Sequence, residues 1–148
     1  MQDRFKKWKK PKIEEGKLTK YNWLVQNKKN LKLGHKTDIG AFTYINAHSG
    51  VIIEDYVQIG GGVKIYSIDT ISNKKGKIIL KKNCKIGANS VILPNTVIGE
   101  NSIVGACSVV KHGTNIPKNE IWAGTPVKKL GEIKNEKRKY SKNKNQML

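Results

Sequence analysis

Cysteine, aromatic residues, acidic residues and long apolar runs are all in short supply in this 148-residue chain, and each shortage removes a class of protein. The two cysteines, Cys84 and Cys107, stand 23 residues apart, without the paired spacing of a zinc site or a redox motif. Both read as small buried or corner residues. No stretch approaches the roughly 18 consecutive apolar residues of a membrane-spanning helix. The lysine-rich N-terminus lacks the continuous apolar run of a secretory signal. A cytoplasmic protein without a membrane span is therefore expected. Acidic residues number 11 against 29 basic ones, a formal net charge of +18. The excess pools at the ends, in Lys6, Lys7, Lys9 and Lys10 and again in Lys128, Lys129, Lys137, Arg138 and Lys139. With the charge pooled at two ends and no recognisable nucleic-acid module, no specific nucleic-acid partner is expected. A basic surface does raise the local concentration of phosphate-bearing small molecules.

What the chain has is a strict period. An aliphatic residue returns every six positions, at Leu33, Ile39 and Ile45, at Ile53, Ile59 and Ile65, at Leu80, Ile86 and Ile92, then at Ile98, Val104 and Val110. A period of six fits neither the 3.6 of an amphipathic helix nor the simple alternation of hairpin strands. It is the signature of a parallel β-helix, whose coils bury their apolar faces by stacking on one another. Three slots of six give an 18-residue coil, and about four coils at about 4.8 Å each make a prism about 20 Å tall. Gly34, Gly40, Gly60, Gly87, Gly99 and Gly105 each follow an inward aliphatic. Positive φ at a sharp corner is the expected reason, with Asn46 filling the same slot once. The expected division is a capping segment over 1–30, a β-helix domain over 31–126, and a closing element passing into a basic, disordered tail over 127–148. Phe5, Trp8, Trp23, Leu24 and Val25 supply apolar anchors for the cap.

The register slips twice. Ile45 to Ile53 spans eight residues and extrudes Ala47–Gly50, while Ile65 to Leu80 spans fifteen and extrudes a loop from Ser67 to Gly76. Both slips follow the third slot of a coil. The two insertions should leave one edge of the prism in successive layers and make a concave site of the kind ligands favour.

The strings IGANSVILPNTVIGENSIVGACSVV and IWAGTPVKKL, with VVKHGTNIP between them, resemble the hexapeptide-repeat acyltransferases. These are the left-handed β-helix family of galactoside, maltose, serine and sugar-nucleotide acetyltransferases. The similarity covers roughly residues 31 to 131, and the INxxxGVxIxDxVQIG segment is similar to bacterial surface-sugar acetyltransferases. The resemblance implies left-handed winding, where crossover rules alone would give the right-handed sense. It implies a homotrimer with acetyl-coenzyme A bound between neighbouring prisms, and acetyl transfer to a hydroxyl or amine of a sugar or nucleotide-linked sugar in surface-glycan biosynthesis. It assigns coenzyme contacts to Gly87, Ala88, Gly105 and Ala106. Lys111 and His112 then face the nucleotide end, and Lys128 the 3′-phosphate, although plain solvated lysines remain the alternative. On the acceptor side it assigns Asn46, for which a turn role stays open, and the neighbouring Tyr66.

The family's long-loop histidine is missing, because that stretch reads IYSIDTIS. Of the three histidines, His35, His48 and His112, His48 lies in the short insertion beside the long loop. An imidazole is the usual general base near neutrality. His48 is the candidate base, and Asp69 the candidate to orient it or bind the acceptor; ordinary loop residues are the alternative for both. The expected mechanism is direct attack on the thioester, with backbone N–H groups at a coil corner holding the oxyanion. No metal is expected. A zinc carbonic anhydrase on the same prism would need three histidines converging on the metal, and a non-catalytic scaffold or binding module is the other competing class.

Overall fold

The computed structural model describes residues 5–134. The tail beyond, with Lys137, Arg138 and Lys139, lies outside the described residues. Three parallel sheets make the faces of a prism. The first carries Leu24–Gln26, Tyr44–Asn46, Lys64–Tyr66, Val91–Ile92 and Val109–Val110. The second carries Leu31–Leu33, Val51–Ile53, Ile78–Leu80, Thr96–Ile98 and Asn115–Ile116. The third carries Asp38–Ile39, Gln58–Ile59, Lys85–Ile86, Ile103–Val104 and Glu120–Gly124, with Val127–Glu132 added antiparallel at its end. The chain winds through them in that order as a left-handed parallel β-helix of about five turns. The first face already begins at Leu24, ahead of the first hexad aliphatic, because Val25 pairs with Ile45 in the register that later joins Ile45 to Ile65.

The hexad aliphatics form vertical stacks inside the prism. Val25, Ile45, Ile65, Ile92 and Val110 are fully buried along the first face. Leu80, Ile98 and Ile116 do the same along the second. Stacking like on like is what parallel in-register pairing dictates, since each inward side chain meets the one a coil away. Buried hydroxyls near the corners are spent on backbone: Thr43 Oγ1 donates to Gly60 O at 3.1 Å and Ser90 Oγ to Gly105 O at 3.0 Å. Among the described residues no buried side-chain polar atom lacks a partner.

The corner glycines are there for a different reason from the expected one. Gly34, Gly40, Gly60, Gly87, Gly99 and Gly105 do not have positive φ. A Cβ on Gly87 would lie 2.3 Å from Ala106 N, and one on Gly60 would lie 2.6 Å from Ala88 N. The slot is glycine because the next coil's backbone passes through the space a side chain would fill. Left-handed backbone falls two residues later, at Asn89, Asn101 and Cys107, with φ of 60°, 62° and 57°. Asn89 and Asn101 suit that conformation because a short polar side chain tolerates it, whereas Lys36, Phe42 and Cys107 adopt it in the equivalent slot without that chemistry. Asn46 is likewise a strand residue without positive φ.

Before the first strand, Trp23 lies 2% exposed against the end of the core. The arm ahead of it is pinned by Trp8, whose Nε1 donates to Thr37 O at 2.8 Å. Among the described residues no helix is long and apolar enough to cross a membrane.

Candidate active site

Both insertions leave the corner between the first and second faces, in successive layers. Ser67 joins them: its Oγ donates to Asn46 O at 2.7 Å and accepts from Ser49 N–H at 2.9 Å. Its own N–H also reaches Asn46 O, at 3.0 Å. Ala47 and Ser67 occupy equivalent slots after Ile45 and Ile65, and both are fully buried. That equivalence is legible in the hexad count, although Ser67 was not singled out there.

The Asn46 side chain is held by three hydrogen bonds. Its Oδ1 accepts from His48 N–H at 3.1 Å and from Asn27 Nδ2 at 3.2 Å, and its Nδ2 donates to Tyr44 OH at 3.4 Å. Tyr44 OH in turn donates to Gln26 Oε1 at 2.8 Å. Burial raises the Tyr44 pKa, so the phenol stays a donor near neutrality. The Tyr44 and Tyr66 rings are 5.4 Å apart and tilted by 47°. His48 is exposed, with Nδ1 3.1 Å from Ser49 Oγ and its carbonyl accepting from Asn30 Nδ2 at 3.0 Å.

Asp69 faces elsewhere. It sits in a small antiparallel ladder, Ile68–Asp69 against Lys74–Lys75, and accepts from Ile71 N–H at 3.0 Å and Ser72 Oγ–H at 2.6 Å. The Ser72 hydrogen bond, above all, holds its carboxyl below the usual range. No hydrogen bond joins Asp69 to His48 among the described residues. Asn46, His48 and Tyr66 are thus brought together, while Asp69 organises its own hairpin.

The coenzyme candidates lie at the corner between the third and first faces. Gly60, Gly61, Gly87, Ala88, Gly105 and Ala106 line a groove of about 440 Å³ that Asp38 and Gly40 continue downward. A glycine in each layer lets the next coil's amide approach closely along this corner, while Gln58, Lys85 and Ile103 line the side towards the third face. Lys128 stands at its upper end: it pairs with Ala123, the residue that a Cβ on Gly105 would meet at 2.8 Å. Its neighbour Lys129 is already shared between Glu120 at 3.6 Å and Glu132 at 3.1 Å. Lys111 and His112 are not in the groove. They follow Val109–Val110 at the corner between the first and second faces, in the column that holds His48 and the long loop. Among the described residues no group of three or more His, Cys, Asp or Glu gathers to hold a metal.

The repeat stretch over residues 77–112 matches the family model described as bacterial transferase hexapeptide (six repeats). AntD, an N-acyltransferase from Bacillus cereus, solved with dTDP and 3-hydroxybutyryl-CoA, is 32% identical, with 86% of this chain and 76% of that chain covered and a TM-score of 0.59. The chain belongs to the hexapeptide-repeat acyltransferases. A point mutant of the same Bacillus enzyme, bound to dTDP-4-amino-4,6-dideoxyglucose and coenzyme A, is similar to this hexapeptide-repeat chain at 25% identity over 88% of this chain and 87% of that one, TM-score 0.66. A hexapeptide-repeat acetyltransferase of Vibrio cholerae, complexed with acetyl-coenzyme A, shares the fold at a TM-score of 0.70 and 24% identity, covering 76% and 66% of the two chains. Among curated proteins, the delta-poly-L-ornithine synthetase of Acinetobacter baumannii is 32% identical over 104 residues, or 69% of this chain. The chain spans only 8% of that relative's length.

Proposed function

We propose that this hexapeptide-repeat acyltransferase moves an acyl group from coenzyme A to the amine of a nucleotide-linked amino sugar in glycan biosynthesis, in the cytoplasm. The observation that carries the reading is the groove along Gly60, Gly87 and Gly105, whose small corner residues let an extended arm lie close to peptide groups. The N-acyltransferase likeness and the lack of a histidine in the long loop both favour an amine over a hydroxyl, since an amine that binds neutral needs less help from a base. Free thiols at Cys84 and Cys107 fit a reducing compartment.

In the mechanism the acceptor nitrogen attacks the thioester carbonyl and the new C–N bond forms. Backbone N–H groups of a coil corner hold the oxyanion, and its collapse breaks the C–S bond and releases coenzyme A. His48 takes the proton lost by nitrogen and passes it on to the leaving sulfur. Asn46 and Tyr66, with Tyr44 beside them, hold the sugar near His48.

The groove and the acceptor cluster occupy opposite edges of the first face, so one protomer does not bring them together. A homotrimer in which the neighbour's first-to-second-face corner closes on the groove would bring His48, Lys111 and His112 to it at once. Lys128 then meets the 3′-phosphate. The test is thiol release from acyl-CoA donors with a panel of nucleotide amino sugars. Ala88→Phe and Ala106→Phe should each raise the donor KM about tenfold or more while the fold is retained, because the side chains project into the groove. Donor affinity unchanged in both variants would remove this corner from the site.

A further inference from the structure

Below the lowest glycine of the groove lies a second hollow, of about 220 Å³. The N-terminal arm walls it with Phe5, Trp8 and Pro11, the approach to the first strand adds Tyr21 and Trp23, and Thr37 to Ile39 form its floor. Asp38 lines both hollows and Gly40 follows it in the groove, so the two run consecutively along one corner. The wall is fixed in place: beyond the Trp8 bond to Thr37, the Trp8 ring stands edge-on to His35 at 5.9 Å and Phe5 edge-on to Tyr56 at 6.3 Å. Trp23 and Ile39 supply an apolar base, at 2% and 7% exposure.

We infer that this hollow takes the acyl group of the donor and that the preferred group is larger than acetyl. The inference rests on the coenzyme lying in the groove as proposed, with its phosphates towards Lys128. The opposite end of such a ligand is the acyl carbon, and it points to the foot of the groove. His48 belongs to the second layer of the prism and the hollow to the first. A thioester carbonyl at the level of His48 therefore has its chain about one layer, some 4.8 Å, from the hollow.

Volume sets the chain length. A 150 Å³ cavity accommodates benzene, so this hollow has room for roughly eight or nine heavy atoms, whereas an acetyl group would leave most of it empty. An acyl chain of roughly four or more carbons fits. Lys7 and Lys9 among the lining residues let a polar substituent on that chain be met at the rim.

The experiment compares acetyl-, butyryl-, 3-hydroxybutyryl- and succinyl-CoA as donors in the full-length enzyme, with free coenzyme A as the binding control, in the wild type, Tyr21→Ala and Trp8→Ala. Four-carbon donors should exceed acetyl-CoA about tenfold in kcat/KM, the scale of one methylene packed against the Trp23 and Ile39 base. Tyr21→Ala should cut that ratio about fivefold and leave the Kd of free coenzyme A within about twofold. Tyr21 is half-exposed, so this variant decides even if Trp8→Ala does not fold. Acetyl-CoA as best donor, with a ratio indifferent to Tyr21→Ala, overturns the inference. Free coenzyme A weakened as much as butyryl-CoA also overturns it, because the hollow then holds the nucleotide end. Should no donor release thiol, the proposed reaction fails, and the affinities of butyryl-CoA and free coenzyme A still decide what the hollow binds.

Discussion

At Gly87 one added carbon would sit 2.3 Å from the backbone nitrogen of Ala106, while at Gly113 it would meet nothing within 4 Å. The two glycines therefore answer to different physics. Gly87→Ala has to push apart two coils whose hydrogen bonds fix their spacing, and should cost about 2–3 kcal/mol, as overpacking does. Gly113 has φ +79°, so Gly113→Ala should cost about 1–2 kcal/mol of backbone strain and Gly113→Asn less. Denaturant melts of the three variants check the order. His48 is tested on chemistry instead of stability. His48→Ala should lower kcat about 100-fold, the low end for a lost general base because an amine that binds neutral needs less help, with a smaller effect on donor binding. The deficit should shrink as pH rises and the acceptor loses its proton unaided. Near-full turnover at neutral pH would leave His48 an ordinary surface residue.

The turn that opens the second face shows how an element is held from outside itself. Glu15, on the N-terminal arm, accepts from Lys28 N–H at 2.8 Å and from Asn27 N–H at 2.7 Å, capping the short helical turn Lys28–Asn30. The hydrogen bond from Lys28, and then that from Asn27, keep the Glu15 carboxyl below its ordinary range. A depressed carboxyl stabilises the fold above the unfolded-state pKa, and that contribution is lost as pH falls through the folded-state value. Glu15→Gln should therefore be less stable than wild type at neutral pH, and the two melting curves should converge in acid. A difference that persists at low pH would show that the cap does not depend on charge. At this scale the sequence was informative about the slips and silent about their contents. Intervals of eight and fifteen place two extrusions at one corner, whereas the ladder that turns Asp69 inward on Ser72 depends on local pairing that carries no hexad signal.

On the scale of the molecule, the groove and the acceptor cluster sit at different corners of one prism, and large apolar side chains remain uncovered. Phe42 is 71% exposed, Ile71 95% and Leu130 68%. The proposed trimer would answer both observations. Light scattering at micromolar concentration should return the mass of three chains, and active material should elute only at that mass. A stable monomer that turns over substrate would sink the shared-site arrangement. The net charge of +18 does not oppose this strongly at physiological salt, where exposed charges are screened beyond about 8 Å.

The sequence by itself determined the architecture. A six-residue aliphatic period has one economical solution, a stack of three-sided coils, and repetition writes that solution many times over, so no single misreading can spoil it. The period also located the corner that Gly87, Ala88, Gly105 and Ala106 line, because small residues recur there in step with the core. Only the tertiary structure decided why those glycines are glycines, since a clash with the next coil depends on atoms nineteen or so residues away and not on local φ. It also decided that Asn46 commits its amide to Asn27, His48 and Tyr44; that Lys111 and His112 share a corner with His48, by contrast, follows from Ile45 and Val110 holding the same slot of the period. A linear period reports which slot a residue occupies in its coil. Which slots face one another, and what fills the hollow beneath Trp8 and Tyr21, depends on how the coils and the unrepeated arm pack, and side chains outside the repeat leave no periodic trace.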